Sequence, residues 1–226
     1  MPPVNLPIAV LATRRRPPLV VPHLIKSGLT FDLRIDPEPE LPDGWAPLPQ
    51  YVRLTPNQRN MMRCHEAHVS AVVAHVRKPG DAVLVLEDDA VPVRDDFYDI
   101  ACEAAALVSA DEEEDKPRAI FLCAHFPDES AAGGWTYRPW SRGLHWVTKT
   151  PGSGPCHHGT QAMVYGYAAQ NVLGQLRYTG LPIDCLLGQW LRKLAWIRPN
   201  VFFHDRSQGS MMEPEGHGIL TGKKSK

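Results

Sequence analysis

The sequence predicts a single α/β domain built on an open, mostly parallel sheet with helices on both faces. The chain has 226 residues, 43% of them apolar, which is enough for one substantial core. Strand-like apolar segments alternate with stretches of helical periodicity, the pattern of βαβ units. Residues 82–86 are an apolar run without polar alternation. Such a run is typical of a central strand buried on both faces of a parallel sheet.

The amino-terminal part predicts one βαβ unit. Residues 4–13 are apolar and partly β-branched, which favours a first strand. Apolar side chains at helical spacing then predict a short helix that ends at Gly28. Residues 31–36 return as a second strand, and residues 37–53, with five prolines, predict a surface connection.

Three consecutive arginines, Arg14, Arg15 and Arg16, follow the predicted first strand. Guanidinium groups pair well with phosphate oxygens, so one interpretation is a phosphate-binding cluster at the carboxyl end of the strand. The alternative is a solvated basic turn. The triplet by itself does not separate the two.

A long helix is predicted from Thr55 to about residue 76. Thr55 suits the capping position, and Pro56 suits the first helical position. One face carries apolar side chains and His65 at three- and four-residue spacing. A histidine there is either a satisfied structural residue or an aid to chemistry. Because the helix leads directly into the acidic end of the next strand, we expect His65 to help orient the acids rather than to contact a ligand itself.

The buried run ends in three acids, Glu87, Asp88 and Asp89. Carboxylates just beyond the carboxyl end of a strand lie where open α/β sheets bind ligands. With His204, at the end of a last strand predicted over 196–204, they offer oxygen and imidazole ligands that suit Mn²⁺ or Mg²⁺. A divalent ion there would offset charge on a phosphate leaving group. The residues therefore predict metal-assisted displacement at a nucleotide diphosphate.

Residues 125–158 lack convincing periodicity and are predicted to be a long loop. Its aromatic and basic side chains either stack on sugars or bases and contact phosphates, or pack the loop onto the sheet. Glycines at 152–154 predict a hinge, as in a lid over a ligand. The aromatic and basic residues are Trp135, Tyr137, Arg138, Trp140, Arg142, His145, Trp146 and Lys149.

The other segments complete the predicted domain, residues 1–215. We expect a helix over 97–109, a strand over 119–124, a strand entered through Gly159 and Thr160, and a helix over 168–178. Asp184 can cap a further helix. The acidic run 111–115 predicts a solvated loop, and residues 216–226 a flexible basic tail.

Composition excludes several classes of protein. A formal net charge of −1 argues against a general nucleic-acid coat and a polybasic membrane binder. Five cysteines without a C-x-x-C pair argue against a disulfide scaffold or a zinc knuckle. Because no signal peptide or membrane-length apolar run is visible, we expect a cytoplasmic protein without a membrane span.

The order of these motifs resembles glycosyltransferase family 25, which includes lipopolysaccharide and collagen sugar transferases. The shared pieces are residues 54–56, His65 and the strand-end acids of 83–90, followed by Gly159-Thr160, residues 181–184 and the segment from Pro199 to Ser210. The family commonly carries Gly-Cys-x-x-Ser-His on the helix, whereas residues 60–65 keep the histidine and lack the glycine and serine. Residues 11–16 also depart from the family's Asn-Leu-Asp and Arg-Arg pattern.

The resemblance implies a nucleotide-sugar transferase fold of the A type (GT-A) and transfer of a UDP-linked sugar to an acceptor hydroxyl with inversion. It implies Asp89, Glu87 and His204 as metal ligands, with Glu87 or Asp88 holding the ribose or the donor sugar. Thr13, Arg14, Arg16, His65, Gly159 and Thr160 would complete the donor site. Asp184 would be the base, ahead of His157, His158 and Asp205.

Several alternatives stay open. The acceptor is either a saccharide hydroxyl or a hydroxymethylated base in DNA, which would be flipped out of the duplex. The acids could instead form a two-metal nuclease or phosphohydrolase site, for which Asp95, Asp96 and Asp184 are the candidate extra carboxylates. A third interpretation is a carbohydrate-binding relic that keeps the fold without turnover.

Overall fold

The computed structural model describes residues 5–14, 17–35, 55–108, 118–123, 135–149, 159–173, 177–178, 183, 187 and 194–205. These residues form four helices and ten strands within the described ranges. In chain order the elements are β1 (Ile8–Ala12), α1 (Val21–Lys26), β2 (Asp32–Ile35), α2 (Pro56–His75), β3 (Ala82–Glu87), β4 (Ala90–Pro92), α3 (Phe97–Val108), β5 (Ala119–Phe121), β6 (Trp135–Pro139), β7 (His145–Lys149), β8 (Ala162–Gly166), α4 (Tyr167–Leu173), β9 (Leu194–Arg198) and β10 (Phe202–His204).

Eight strands form one sheet, in the order β2-β1-β3-β8-β5-β9-β7-β6, and β10 pairs with β4 in a second, two-stranded sheet. Three neighbouring pairs in the large sheet are parallel, and four are antiparallel. Six of the eight strands nevertheless share one direction, because β8 and β7 alone run against the others. The predicted α/β class is confirmed, and the sheet is mixed rather than a continuous parallel array.

Helices cover both faces of the sheet, as predicted. One core lies between the sheet and helices α1 and α3, with Leu24, Ile100 and Leu84 among its buried side chains. The other core lies on the opposite face, where Val69 and Val72 of α2 pack beside α4. Burial of strand β3 on both faces explains why its sequence shows no polar alternation.

The chain reverses its order of strands at β1. From β1 it passes through α1 to β2 on one side, and then through α2 to β3 on the other side of β1. Helices α1 and α2 belong to opposite faces of the sheet. The carboxyl ends of the parallel neighbours β1 and β3 therefore flank a topological switch point, where open α/β sheets form a ligand-binding crevice.

Local signals account for the long helix. Thr55 accepts a hydrogen bond from the Gln58 amide at 3.3 Å, and the Gln58 side chain accepts one from the Thr55 amide at 3.0 Å. This capping box satisfies two amides that the helix itself leaves unpaired. The predicted helix start is confirmed, and the capping residue at the other end is Val76, at the predicted limit.

Two sequence-based predictions differ from the structure. The described part of the predicted loop 125–158 contains a hairpin, β6–β7. Its edge strand exposes Tyr137, Arg138 and Thr136, so no buried face imposes an alternating pattern on the sequence. The single last strand predicted over 196–204 is two strands in different sheets, β9 and β10. Pro199 separates them, and proline has no N–H to continue a ladder.

Some predicted segments lie outside the described residues. They include Arg15 and Arg16, the connection 37–53, the acidic run 111–115, His157, His158, Asp184 and the tail 216–226. In the described part of the chain, no helix is long and apolar enough to cross a membrane.

Gly166 of β8 lies very close to the end of α3, so a substitution at this glycine tests how tightly α3 packs on the sheet. A Cβ built on Gly166 would lie 2.0 Å from the carbonyl oxygen of Val108, at the end of α3. We expect Gly166→Ala to lower the free energy of unfolding by about 1–3 kcal/mol, because a backbone group must move to admit the methyl group. Equilibrium denaturation with urea measures this loss.

Gly143→Asn is the control for that substitution. Gly143 has open space around its Cβ position and a φ of +71°, a region that asparagine tolerates. We expect a loss of about 1 kcal/mol or less, because asparagine visits this conformation at low cost and no neighbouring atom has to move. Equal stability of Gly166→Ala and the wild-type protein would contradict the close packing of α3 against β8.

Candidate active site at the carboxyl edge of the sheet

The predicted acids lie at the carboxyl edge of the sheet, beside the end of β1. Leu11 of β1 is in register with Glu87 of β3, so Thr13 and Arg14 follow on the same edge as the acids. The amide of Leu19 donates a hydrogen bond of 2.7 Å to the carbonyl of Asp88. That bond holds the segment after β1 against the acidic turn and closes one side of the crevice.

Asp89 and His204 meet although they are 115 residues apart in sequence. Strand β10 pairs antiparallel with β4, which places His204 opposite Ala90, the residue after Asp89. His204 Nε2 lies 3.2 Å from Asp89 Oδ2, and the Asp205 amide donates to the Asp89 carbonyl at 3.0 Å. Both side chains are shielded, with 10% of His204 and 6% of Asp89 exposed.

The Asp89–His204 pair fits a divalent cation. Ligands that bind Mg²⁺ at about 2.1 Å in an octahedral arrangement lie about 3 Å from each other when adjacent. The observed separation of 3.2 Å suits two neighbouring ligands as well as a direct hydrogen bond. A carboxylate oxygen and an imidazole nitrogen are also acceptable ligands for Mn²⁺. The structure thus brings together two of the three predicted metal ligands.

Glu87, the third predicted ligand, turns towards helix α2. It follows Val83 and Val85, which belong to the core on the α2 face of the sheet. Its Oε1 accepts a hydrogen bond from the Thr160 hydroxyl at 2.5 Å and lies 3.2 Å from His68 Nε2. The Cys64 Sγ lies 4.0 Å from the same oxygen.

Cys64, His68 and Glu87 are a second group of potential metal ligands. One ligand atom from each residue lies within 4.8 Å of the corresponding atoms of the other two. These three residues can therefore hold a metal ion. Among the described residues, Glu87 is not grouped at this spacing with Asp89 and His204.

His65 is fully buried on α2, as the helical pattern predicts. Its ring centroid lies 6.4 Å from that of Tyr178. Burial, and then the neighbouring charge of His68, lowers the pKa of His65 to about 4, so its ring is neutral at pH 7. The histidine that contacts Glu87 is His68, one turn further along the helix.

Other predicted donor-site residues surround the crevice. The Thr13 hydroxyl is buried and has no hydrogen-bond partner within the described part of the chain, whereas Arg14 is exposed. Asp88 is 2% exposed. Gly159 has a φ of +149°, which only glycine adopts readily, and it precedes Thr160 at the Glu87 carboxylate.

Cys123 follows strand β5 at the same edge of the sheet. Burial raises the pKa of its thiol to about 12, and the negative charges of Glu87 and Asp89 make a smaller contribution to this rise. A thiol of this kind stays protonated and is a poor nucleophile or metal ligand. Cys123 is 1% exposed and packs in the core on the α3 face of the sheet.

The sequence pattern alone does not indicate Cys64, His68 and Tyr165 as site residues. A signal was present, because Cys64 and His68 are four residues apart and therefore neighbours on one face of a helix. Two further facts were needed: that α2 covers the same face of the sheet as Glu87, and that Tyr165 reaches His68 from β8. Both depend on tertiary packing.

The aromatic and basic residues of the hairpin have mixed surroundings. Trp140 and Trp146 pack against the core on the α3 face, which is the packing interpretation. Tyr137 is 44% exposed, and Arg138 and His145 are exposed beside it along the hairpin.

Asp96 takes part in a separate surface network. It binds Arg94 at 2.8 Å and Arg142 at 3.3 Å, and Arg142 also binds Glu103 at 2.9 Å. The nuclease interpretation needs extra carboxylates directed at Asp89. Asp96 is instead engaged by arginines at the start of α3.

The fold is mixed α/β, and its topological switch point carries one pair and one group of side chains that could hold a metal ion. No family model matches the chain, and no curated protein matches it. A search of solved structures finds similarity to A197 from STIV, with 8% identity and a TM-score of 0.41. The match covers 87% of this chain and 83% of A197. At that level of similarity, function has to be argued from the site itself.

The Thr160 hydroxyl gives a direct test of the Glu87 environment. Thr160 is 6% exposed and donates to a carboxylate, and hydrogen bonds to charged groups contribute about 1.5–3 kcal/mol. We expect Thr160→Val, which keeps the shape of the side chain, to lower the free energy of unfolding by about that amount. Urea denaturation at pH 7 is the measurement.

Thr136→Val is the matched control, since Thr136 is exposed on the edge strand β6. We expect it to change stability by less than about 0.5 kcal/mol. If both variants behave alike, the Thr160–Glu87 hydrogen bond does not contribute to stability.

Proposed function

We propose that this protein is a metal-dependent glycosyltransferase that moves a sugar from a nucleotide-diphosphate sugar to an acceptor hydroxyl. The donor that we propose is a UDP-sugar. One observation carries the proposal. Asp89 and His204 come from distant parts of the sequence and meet, shielded from solvent, at the switch point beside the end of β1. A carboxylate and an imidazole in that position are what a metal-bound diphosphate requires.

Asp89 and His204 are the residues that would hold the ion. When bound, Mn²⁺ or Mg²⁺ would supply positive charge for the diphosphate leaving group. The protein side chains fix the position of that charge in advance, because both are held by strand pairing between β4 and β10. Preorganised charge of this kind lowers the barrier more than charge that must be ordered during the reaction.

The crevice beside the pair has groups suited to the donor. The buried Thr13 hydroxyl can hydrogen bond to a polar ligand, and Arg14 can approach a phosphate from the exposed side. Asp88 is buried in the same turn, and its carboxylate suits sugar or ribose hydroxyls. Arg16, predicted to assist, lies outside the described residues.

In the proposed reaction an acceptor hydroxyl oxygen attacks the anomeric carbon while the bond from that carbon to the diphosphate oxygen breaks. The hydroxyl proton passes to a general base, and attack from the face opposite the leaving group inverts the configuration. Asp184 remains the candidate base from the sequence. It lies outside the described residues, so the assignment is a prediction.

The acceptor is a saccharide or a hydroxymethylated base in DNA. Exposed Tyr137, Arg138 and His145 on the β6–β7 hairpin offer stacking and cationic groups that suit either one. Both acceptors would use the same donor sugar. Transfer to each can therefore be measured in the presence of the other.

The experiment is release of UDP from a panel of UDP-sugars, with water, oligosaccharides or hydroxymethylated duplex DNA as acceptor. We expect release that needs Mn²⁺ or Mg²⁺ and stops with a chelator. Asp89→Ala should lower the rate at least about 100-fold. Asp89 would hold the metal ion whose positive charge stabilises the diphosphate leaving group. Asp89→Asn, which keeps the size of the side chain, should lower it in the same direction.

Asp99→Asn is the matched control. Asp99 is another acid of the same region, but its side chain is 63% exposed and its salt bridge to Arg142 lies at the surface. We expect unchanged UDP release. Metal-dependent cleavage of DNA phosphodiesters without UDP release, or UDP release that survives Asp89→Ala in a folded protein, would contradict the proposal.

A further inference from the structure

We infer that Cys64, His68 and Glu87 form a Zn²⁺ site that is separate from the Asp89–His204 pair. The three residues join helix α2 to the carboxyl end of β3. The inference does not depend on the proposed sugar transfer, because it concerns different side chains and a different metal chemistry.

The positions of the three ligand atoms suit a tetrahedral ion. Zinc binds sulfur at about 2.3 Å and nitrogen or oxygen at about 2.0–2.1 Å, so tetrahedral ligands lie about 3.3–3.6 Å from one another. The measured separations are 3.2 Å from His68 Nε2 to Glu87 Oε1 and 4.0 Å from Cys64 Sγ to the same oxygen. All three pairs are within 4.8 Å. Metal binding would therefore draw the Cys64 sulfur closer to the Glu87 oxygen.

Helix geometry explains why two of the ligands arrive together. Cys64 and His68 are four residues apart on α2, so their side chains project from the same face on successive turns. That face packs on β3, where Glu87 points towards α2. Two ligands from one helix and one from a strand are thus positioned by the packing that also forms the core.

A second layer of hydrogen bonds orients the ligands. The Tyr165 oxygen lies 3.0 Å from His68 Nδ1, and its hydroxyl donates to the Met163 sulfur at 3.0 Å. With the proton on Nδ1, His68 donates to the Tyr165 oxygen, and Nε2 would offer its lone pair to a metal ion shared with Glu87. Metal-binding histidines are held in this way by a partner on the other ring nitrogen. Thr160 holds Glu87 in the same manner.

The ligand types select zinc over the hard cations. Thiolate favours soft or borderline ions, imidazole suits Zn²⁺, and a carboxylate completes a common zinc set. Mg²⁺ and Mn²⁺ prefer oxygen ligands and would occupy the Asp89–His204 pair instead. Three protein ligands leave a fourth position for water or another small ligand.

Cobalt substitution tests the site directly, since a Co²⁺–thiolate bond gives a charge-transfer band in the near ultraviolet. We expect the full-length protein to bind Co²⁺ with such a band, and Zn²⁺ to displace it. Cys64→Ser should abolish the band, and His68→Gln should weaken Zn²⁺ binding at least about 100-fold in calorimetric titration. Circular dichroism establishes that each variant is folded.

Two controls separate this site from others. Cys102 is a half-buried cysteine on α3, so Cys102→Ser matches Cys64→Ser in burial and should keep the band. Asp89→Asn should also keep it, because Asp89 belongs to the other pair. Absence of a thiolate band in the folded wild-type protein, or a band that persists unchanged in folded Cys64→Ser, would overturn the inference.

Tyr165→Phe tests the orienting role of the hydroxyl group. Removal of such a partner typically weakens metal affinity about 10- to 100-fold. We expect a loss in this range for Zn²⁺, with the cobalt band retained because Cys64 remains a ligand. Unchanged Zn²⁺ affinity would remove Tyr165 from the site while leaving the three ligands to be judged by Cys64→Ser and His68→Gln.

Discussion

The parallel pairing of β1 with β3 is the constraint on which the site depends. It places the ends of two buried strands side by side, so the chain must leave both at one edge of the sheet. Three backbone hydrogen bonds then hold the acidic turn: Leu19 donates to Asp88, Glu87 donates to Gln161, and Asp205 donates to Asp89. The partners of the turn in these bonds come from the segment before α1, from the approach to β8 and from the residue after β10. Neighbouring elements thereby fix the backbone of the turn that carries the three acids.

Glu87 and Asp89 lie two residues apart but have different surroundings. The two acids are therefore suited to different metal ions. Glu87 continues the alternation of β3 and faces α2, where it lies close to the Cys64 thiol and the His68 imidazole. Asp89 has left the strand and faces the small β4–β10 sheet and His204. A group that contains a thiolate favours a borderline metal, whereas a pair of carboxylate and imidazole without a thiolate also accepts Mn²⁺. Selectivity between two ions can thus arise from the direction of a strand and a turn.

Much of the architecture could be predicted because it has local causes. Thr55 and Pro56 specify the start of α2, and the unbroken apolar run before Glu87 specifies a strand buried on both faces. The site was predictable only in part. The odd-numbered residues of β3 share a face, so Glu87 could be grouped with Val83 and Val85, but the identity of the covering helix is a tertiary fact. The hairpin β6–β7 lacked a signal because its edge strand has no fully buried face, and the break at Pro199 required knowledge of a second sheet.

The small β4–β10 sheet links the site to the order in which the chain is synthesised. Asp89 emerges from the ribosome long before His204, and 115 residues separate the two partners in sequence. The Asp89 carboxylate therefore contacts His204 only once β10 pairs with β4. A chain that has not yet reached β10 lacks this contact.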